Sequence, residues 1–379
     1  MQQQRSASRS RHASTPRVIQ LALTVESAQS KVEREDRPRV TSPIEIRPAR
    51  PDEYDEVGRV TERAFADGPY GHLPVSSERR ELVNDVAARA ASGAVLVAVA
   101  SDGAIIGTAT LLRAGTPQSR LAVGDEAELR LLGVTAAARG LGLGRALALA
   151  AEEVALGWGA ASVVLDTGTR NVVSQALYRS LGYELIPNRS SEPDGSPIQH
   201  VEFVKPLRDR DDVLVRLVRP DEYEAAADLS ERAYTSEYDI TESYRASIRQ
   251  IAERAAEHQV WVAVDTTTGT LLGAVATPRP GRSISPLARD GELDFRLLAV
   301  DPPARGRGIG ALLTRHVIEL ARLRGLDHVV MNSGQQMVGA HRLYEKLGFG
   351  RLPEREGSIT EGGRTIQLLA FTIPVGAAS

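Results

Sequence analysis

The pattern Arg-x-x-Gly-x-Gly occurs twice in this 379-residue chain, as Arg139, Gly142 and Gly144 in "RGLGLG" and as Arg305, Gly308 and Gly310 in "RGRGIG". Each corner stands just before a run with helical apolar spacing, residues 145–159 ("RALALAAEEVALGWG") and 311–325 ("ALLTRHVIELARLRG"). A helix start exposes backbone N–H groups without intrahelical partners and the positive end of the dipole, and glycines let a ligand come close, so the chemistry implied is phosphate binding. A nucleoside-triphosphate loop, a dinucleotide fold and another phosphate-bearing cofactor all use such a corner. The first would need a Gly-Lys-Ser/Thr ending that neither copy has. The second is matched by Gly306, Gly308 and Ala311, but Arg145 breaks it in the first copy, and both corners fall in mid-domain rather than in a first strand-to-helix turn.

What positions the corners is an internal repeat. "IRPARPDEY" at 46–54 answers "VRLVRPDEY" at 215–223, "ELRLLGV" at 128–134 answers "DFRLLAV" at 294–300, and "LYRSLGY" at 177–183 answers "LYEKLGF" at 343–349, at offsets of 169, 166 and 166 residues. Copies of about 165 residues are too long for a solenoid period and indicate a duplicated domain. Each copy is expected to run strand, helices, hairpin, strand, helix, strand, helix, strand. The hairpin is 95–112, turning at Ser101-Asp102-Gly103. Residues 128–134 lead into the corner, 161–167 and 327–333 follow as short buried strands, and helices carrying Tyr178 and Tyr344 come next. The fold class expected is α/β (α+β mixed sheet), duplicated, with a disordered polar tail at 1–42, an N-terminal domain at 43–210 and a C-terminal domain at 211–379.

Bulk composition narrows the function. With 42% hydrophobic and 25% charged residues and a net charge of -3, the chain has no polycationic field for nucleic acid. It has no cysteine, which removes disulfides, thiolate catalysis and an acyl-thiol route. The seven histidines show no metal-ligand pairing, and no apolar stretch approaches the roughly 20 residues of a membrane span. The opening 40 residues are rich in Arg, Ser and Gln, and "VIQLALTV" is too short and polar-interrupted for a secretory signal. The expectation is a cytoplasmic protein with no metal, no nucleic-acid partner and no membrane partner.

A strand ending in "LGV" or "LAV", then Arg-x-x-Gly-x-Gly, then "LYxxLGF/Y" some 39 residues after that Arg, in duplicate, resembles the GNAT superfamily of acetyl-CoA-dependent N-acetyltransferases. The resemblance covers about 43–210 and 211–376. It implies acetyl-CoA as cosubstrate, its diphosphate on the corner residues Arg139, Gly140, Leu141, Gly142, Leu143, Gly144 and Arg145, and on Arg305, Gly306, Arg307, Gly308, Ile309 and Gly310. The preceding strand, Leu132, Gly133 and Val134 or Leu298, Ala299 and Val300, would receive the pantetheine and polarise the acetyl carbonyl. Tyr178 and Tyr344 match the family tyrosine that protonates the departing thiolate, and Asn171 matches an asparagine on the pantetheine arm, where the second copy has Met337.

Glu128 and Asp294 stand where several members place a carboxylate base, although strand alternation also sets them beside Arg130 and Arg296 as structural ion pairs. Arg47 and Arg216 are expected in surface ion pairs or helix caps. The acceptor, a small-molecule or peptide amine, would lie near 65–72 and 234–238, where Asp67, Glu237 and Asp239 could attract a cation. The resemblance implies a tandem N-acetyltransferase working by direct attack, a monomer whose halves imitate a dimer. A mycothiol synthase-like tandem enzyme and a coenzyme A-sensing protein are the alternatives.

Overall fold

A computed structural model describes residues 19–21, 44–189, 197–361 and 363–376. The apolar runs pair as mixed sheets in two successive halves. In the N-terminal half β1 (Ile19–Leu21) and β2 (Ile44–Pro48) precede α1 (Tyr54–Ala66), α2 (Ser77–Asn84) and α3 (Val86–Ser92). The hairpin β3 (Gly93–Val99) and β4 (Ile105–Arg113) follows, then β5 (Ala127–Val134), α4 (Leu143–Trp158), β6 (Ser162–Gly168), α5 (Val172–Ser180), β7 (Glu184–Ile186) and β8 (His200–Pro206). The strand order is β1-β2-β3-β4-β5-β6-β8-β7, antiparallel except for β5 beside β6. β1 lies inside the stretch expected to be a disordered tail; it pairs with β2, whose outer edge would otherwise offer unpaired N–H and C=O groups. The rest of that tail lies outside the described residues.

The C-terminal half repeats the plan with β9 (Val213–Leu217), α6 (Tyr223–Thr235), α7 (Glu242–Arg249), α8 (Ile251–Glu257), β10 (Gln259–Asp265), β11 (Leu271–Thr277), β12 (Glu292–Asp294) and β13 (Arg296–Val300). After these come α9 (Ile309–Leu323), β14 (His328–Gly334), α10 (Val338–Lys346), β15 (Gly350–Arg351), β16 (Gly357–Glu361) and β17 (Arg364–Pro374). One strand was expected over 294–300, and the chain breaks it at Phe295. β12 pairs with β14 and β13 pairs with β11, so the backbone changes partner there and the sheet opens.

Arg47 and Arg216 do not lie at the surface. They are 5% and 4% exposed, and each binds the carboxylate of Glu53 or Glu222 at the start of the first helix. Burial of the pair makes each a fixed joint between the first strand and helix rather than a solvated ion pair.

Helix α4 joins the halves. Its Ala- and Leu-rich face packs on β3, β4 and β5, and its far side meets β9 and α9, so one apolar core runs through both halves. A Cβ at Gly159, which has φ +79°, would stand 2.8 Å from Leu214 Cδ1, so glycine both ends α4 and lets β9 approach. Within this core His316 of α9 packs edge-on against Trp261 at 4.3 Å, and its Nε2 is buried without a partner. Desolvation, helped by nearby Arg324, pushes its pKa down to about 3.

The unfolded chain therefore binds a proton that the folded one refuses. Stability is full above pH 6.5 and falls toward pH 3, by at most about 1.4 kcal/mol per pH unit from this group. Melting curves of the protein and of His316→Phe from pH 7.5 to 4.5 should diverge below pH 6.5, the histidine form losing more. Parallel curves would show that His316 takes up its proton in the folded state.

Candidate active site

Both glycine corners turn at the same left-handed positions. Gly140 and Gly142 have φ of 80° and 76°, and Gly306 and Gly308 both have 79°; Gly142 and Gly308 are the N-caps of α4 and α9. A Cβ at Gly140, Gly142 or Gly306 would meet nothing within 4 Å, so the requirement here is the backbone conformation and not space. The third glycine of each corner has another reason. A Cβ at Gly310 would stand 3.0 Å from Leu343 Cδ2, and one at Gly144 3.4 Å from Leu177 Cδ2, so these glycines let the tyrosine-bearing helix close on the corner. Both helices start two residues earlier than the apolar spacing predicted, and no side chain caps either one, which leaves the first-turn amides available to an anion.

The arginine of each corner is also held by the first helix of its half. Arg139 donates to the carbonyls of Asp67 at 3.0 Å and Ala64 at 3.1 Å, and Arg305 donates to that of Ala233 at 2.9 Å and pairs with Glu237 at 2.7 Å. A guanidinium at the C-terminal end of α1 or α6 satisfies the last carbonyls and complements the dipole. The motif arginine thus ties the corner to the first helix. Glu237, expected to attract a cation, is committed to Arg305.

In front of the corners the sheet splays. β5 pairs with β6 only through Ala127 and Glu128, and β12 with β14 only as far as Asp294. Just beyond, Leu131 and Leu297 take φ of 52° and 54°, a strained choice for leucine, and the register against β4 or β11 skips a residue. This bulge swings Leu132–Val134 and Leu298–Val300 away from the neighbouring strand, so their backbone borders the opening. In the C-terminal half the opening is a groove of about 890 Å³ lined by Leu298–Val300, Gly306, Gly308, Gly310, Asn332 and Tyr344.

Tyr344 and Tyr178 occupy equivalent places on α10 and α5. Tyr344 packs edge-on against Phe295 at 6.1 Å, and Tyr178 against Tyr183 at 5.7 Å. Burial raises both pKa values well above the ordinary tyrosine range, with Tyr238 adding to the effect on Tyr344 and Asp166 to that on Tyr178. Each hydroxyl stays protonated and is a donor.

The carboxylates are otherwise engaged. Glu128 is fully buried; its Oε2 accepts from Ser119 Oγ at 2.8 Å and from the N–H groups of Arg120 and Leu121 at 2.6 and 2.7 Å, with Arg130 Nε 3.3 Å from Oε1. Asp294 does the same in its half, accepting from Ser285 Oγ at 2.6 Å and Ile284 N–H at 3.1 Å. Both pin the loop before the splayed strand. Asn171 is the N-cap of α5 and accepts from Ser174 N–H at 3.3 Å, whereas Met337 and Ala340, which replace Asn171 and Ser174, line the C-terminal groove.

Tyr70 lies in the 65–72 stretch expected near the acceptor, but the pattern reading did not single it out. From the longer α1–α2 loop its hydroxyl accepts the Arg170 N–H at 2.7 Å, across 100 residues of sequence. A tyrosine facing a turn 100 residues away leaves no periodic or spacing signal.

Known proteins resemble this chain in sequence. The chain is 36% identical over 108 residues to glucosamine 6-phosphate N-acetyltransferase 1 of Oryza sativa subsp. japonica, covering 28% of this chain and 62% of that protein. It is 34% identical over 90 residues to the mycothiol acetyltransferase of Beutenbergia cavernae, covering 24% and 28%. Among solved structures, the ribosomal-protein-S18-alanine N-acetyltransferase of Escherichia coli aligns over 44% of this chain and 96% of its own at 18% identity, with a TM-score of 0.33. The chain spans less than two thirds of the length of each of these two relatives. With its family model matched in both halves, over residues 60–183 and 223–349, the chain belongs to the Acetyltransferase (GNAT) family.

Proposed function

We propose that this protein transfers an acetyl group from acetyl-CoA to a primary amine by direct attack, and that each half holds one acetyl-CoA. The observation that carries this is the repetition of one complete arrangement: a left-handed glycine corner on an uncapped helix, a bulged strand beside a splay, and a buried neutral tyrosine. Acetyl-CoA when bound supplies the acyl thioester. The chain's own part would be to fix the diphosphate on the amides of 142–145 and 308–311, and to polarise the acetyl oxygen with N–H groups of the bulged strand. Tyr178 and Tyr344 would give a proton to the departing sulfur. The hydrogen bonds of Glu128 and Asp294 favour a role in fixing the adjacent loop over that of a base.

Calorimetric titration with acetyl-CoA tests the reading. Two sites per chain are expected, one lost in Gly142→Val and the other in Gly308→Val, because a β-branched residue does not tolerate φ near +77° and the first-turn amides move. The chain has no thiol of its own, so coenzyme A released on turnover is read directly with a thiol reagent. No binding of acetyl-CoA would overturn the proposal.

A further inference from the structure

The wall of the C-terminal groove has counterparts in the N-terminal half that differ in charge. Tyr234, Arg296 and Asn332 line the groove, and repeat offsets of 169, 166 and 166 residues place Phe65, Arg130 and Asp166 at the same points. The helix facing this wall is α2 in one half and α7 in the other. Arg79 and Tyr244 are each its third residue, and their N–H groups donate to the N-cap hydroxyls of Ser76 and Thr241 at 3.2 Å in both cases.

In the C-terminal half the ring of Tyr244 meets that of Tyr234 edge-on at 5.9 Å. In the N-terminal half the same place holds a cation: the Arg79 guanidinium lies 4.7 Å from the centroid of Phe65. Phe65 in turn borders Gly133 of the splayed strand, where a Cβ would stand 3.8 Å from its ring.

Further positive charge surrounds this point. Arg130, half-buried on β5, has Glu128 Oε1 3.3 Å from its Nε and donates from Nη1 to the Gln118 carbonyl at 2.7 Å, which leaves Nη2 for a ligand, and Arg120, where the other half has Pro286, pairs with Asp166 of β6. Fully buried Arg89 donates to Thr110 Oγ1 and to the Val83 carbonyl. Among the described residues Arg79 has no carboxylate within ion-pair distance. Glu128 is used up by its loop, Asp166 by Arg120 and, at 3.9 Å, His200, and Asp85 caps α3. Arg79 is exposed, and its pKa is lowered by desolvation and then by the like charge of Arg130. Arg130 stands midway along β5, on the strand that precedes the glycine corner and not in the corner itself.

We propose that the N-terminal half accepts an amine that also carries an anionic group, a carboxylate or a phosphate, bound by Arg79 together with Arg130, and that Tyr244 and Pro286 remove this preference from the C-terminal half. The proposal rests on the acetyl-transfer reading above. A guanidinium without a carboxylate partner, such as Arg79, attracts an anion at long range and holds it through paired N–H donors.

The test titrates the full chain, first loaded with coenzyme A, with two matched pairs: aspartate against its diamide, and glucosamine 6-phosphate against glucosamine. The anionic member of at least one pair is expected to bind about tenfold more tightly, the effect of a charge-assisted hydrogen bond. Arg79→Tyr, which installs the residue of the other half and keeps an aromatic contact on Phe65, should abolish the difference. A preference confined to aspartate identifies a carboxylate, and one confined to the sugar phosphate identifies a phosphate. Equal binding within both pairs, no binding of either pair, or an unchanged preference in Arg79→Tyr overturns the proposal while leaving acetyl transfer intact. A chain that takes up no acetyl-CoA defeats the transfer reading and this proposal with it.

Discussion

Replacing Glu153 with leucine should destabilise the protein by about 3–5 kcal/mol, seen as a melting midpoint lower by about 10 °C. Glu153 of α4 and Arg324 at the end of α9 form a buried ion pair between the halves, each side chain 5% exposed. Arg324 gives Glu153 two hydrogen bonds, Nη2 to Oε1 at 2.8 Å and Nε to Oε2 at 3.1 Å, and its remaining donors reach the carbonyl of Pro278 at 2.9 Å and Gln259 Oε1 at 2.6 Å. Gln259 closes the ring by donating to Glu153 at 3.2 Å. Taking away the carboxylate leaves a guanidinium in the core with its positive charge uncompensated, and that desolvation cost sets the size of the effect. The double variant Glu153→Leu/Arg324→Met removes both charges and should recover most of the loss. A single variant that melts within 2 °C of the parent would show that the halves are not held through this pair.

Removing the tyrosine hydroxyls should have the largest effect on rate. Tyr344→Phe and Tyr178→Phe each keep the packed ring, so acetyl-CoA binding should persist while turnover in the affected half falls on the order of 10²-fold. That factor corresponds to about 2.7 kcal/mol in the barrier. The double variant should lose turnover in both halves. Burial holds both hydroxyls above the usual tyrosine pKa, so protonated donors are present at neutral pH and remain so into alkaline solution. Any alkaline fall in kcat assigned to these groups should therefore begin only above about pH 10. Steady-state rates with a thiol readout check both statements, and unchanged kcat in the double variant would remove the tyrosines from the reaction.

Much of this molecule could be read along the chain. Glycines at 140, 142, 306 and 308 announce left-handed turns because no other residue takes that conformation freely, and the repeat offset carried the helices and most strands of one half onto the other. The apolar spacing of 145–159 and 311–325 located α4 and α9 to within two residues. Fold class and family follow from such local patterns, and duplication from their recurrence at offsets of 166 to 169 residues.

What tertiary structure alone decided are the partners of charged side chains. Arg139 and Arg305 belong to a cofactor motif by spacing, yet they bind the ends of α1 and α6 about 70 residues earlier. Glu128 and Asp294, expected as bases or ion-pair partners from the family pattern and strand alternation, accept hydrogen bonds from the loops before them; Glu153, one of two adjacent glutamates on α4, spans 171 residues to Arg324. The change of strand partner at Phe295 and the strained Leu131 and Leu297 likewise arise from pairing with distant strands. Periodicity records which face of an element is apolar, because burial acts on every third or second residue. A long charged side chain can reach any acceptor that the fold brings within a few ångströms, so its partner is set only when the chain has folded.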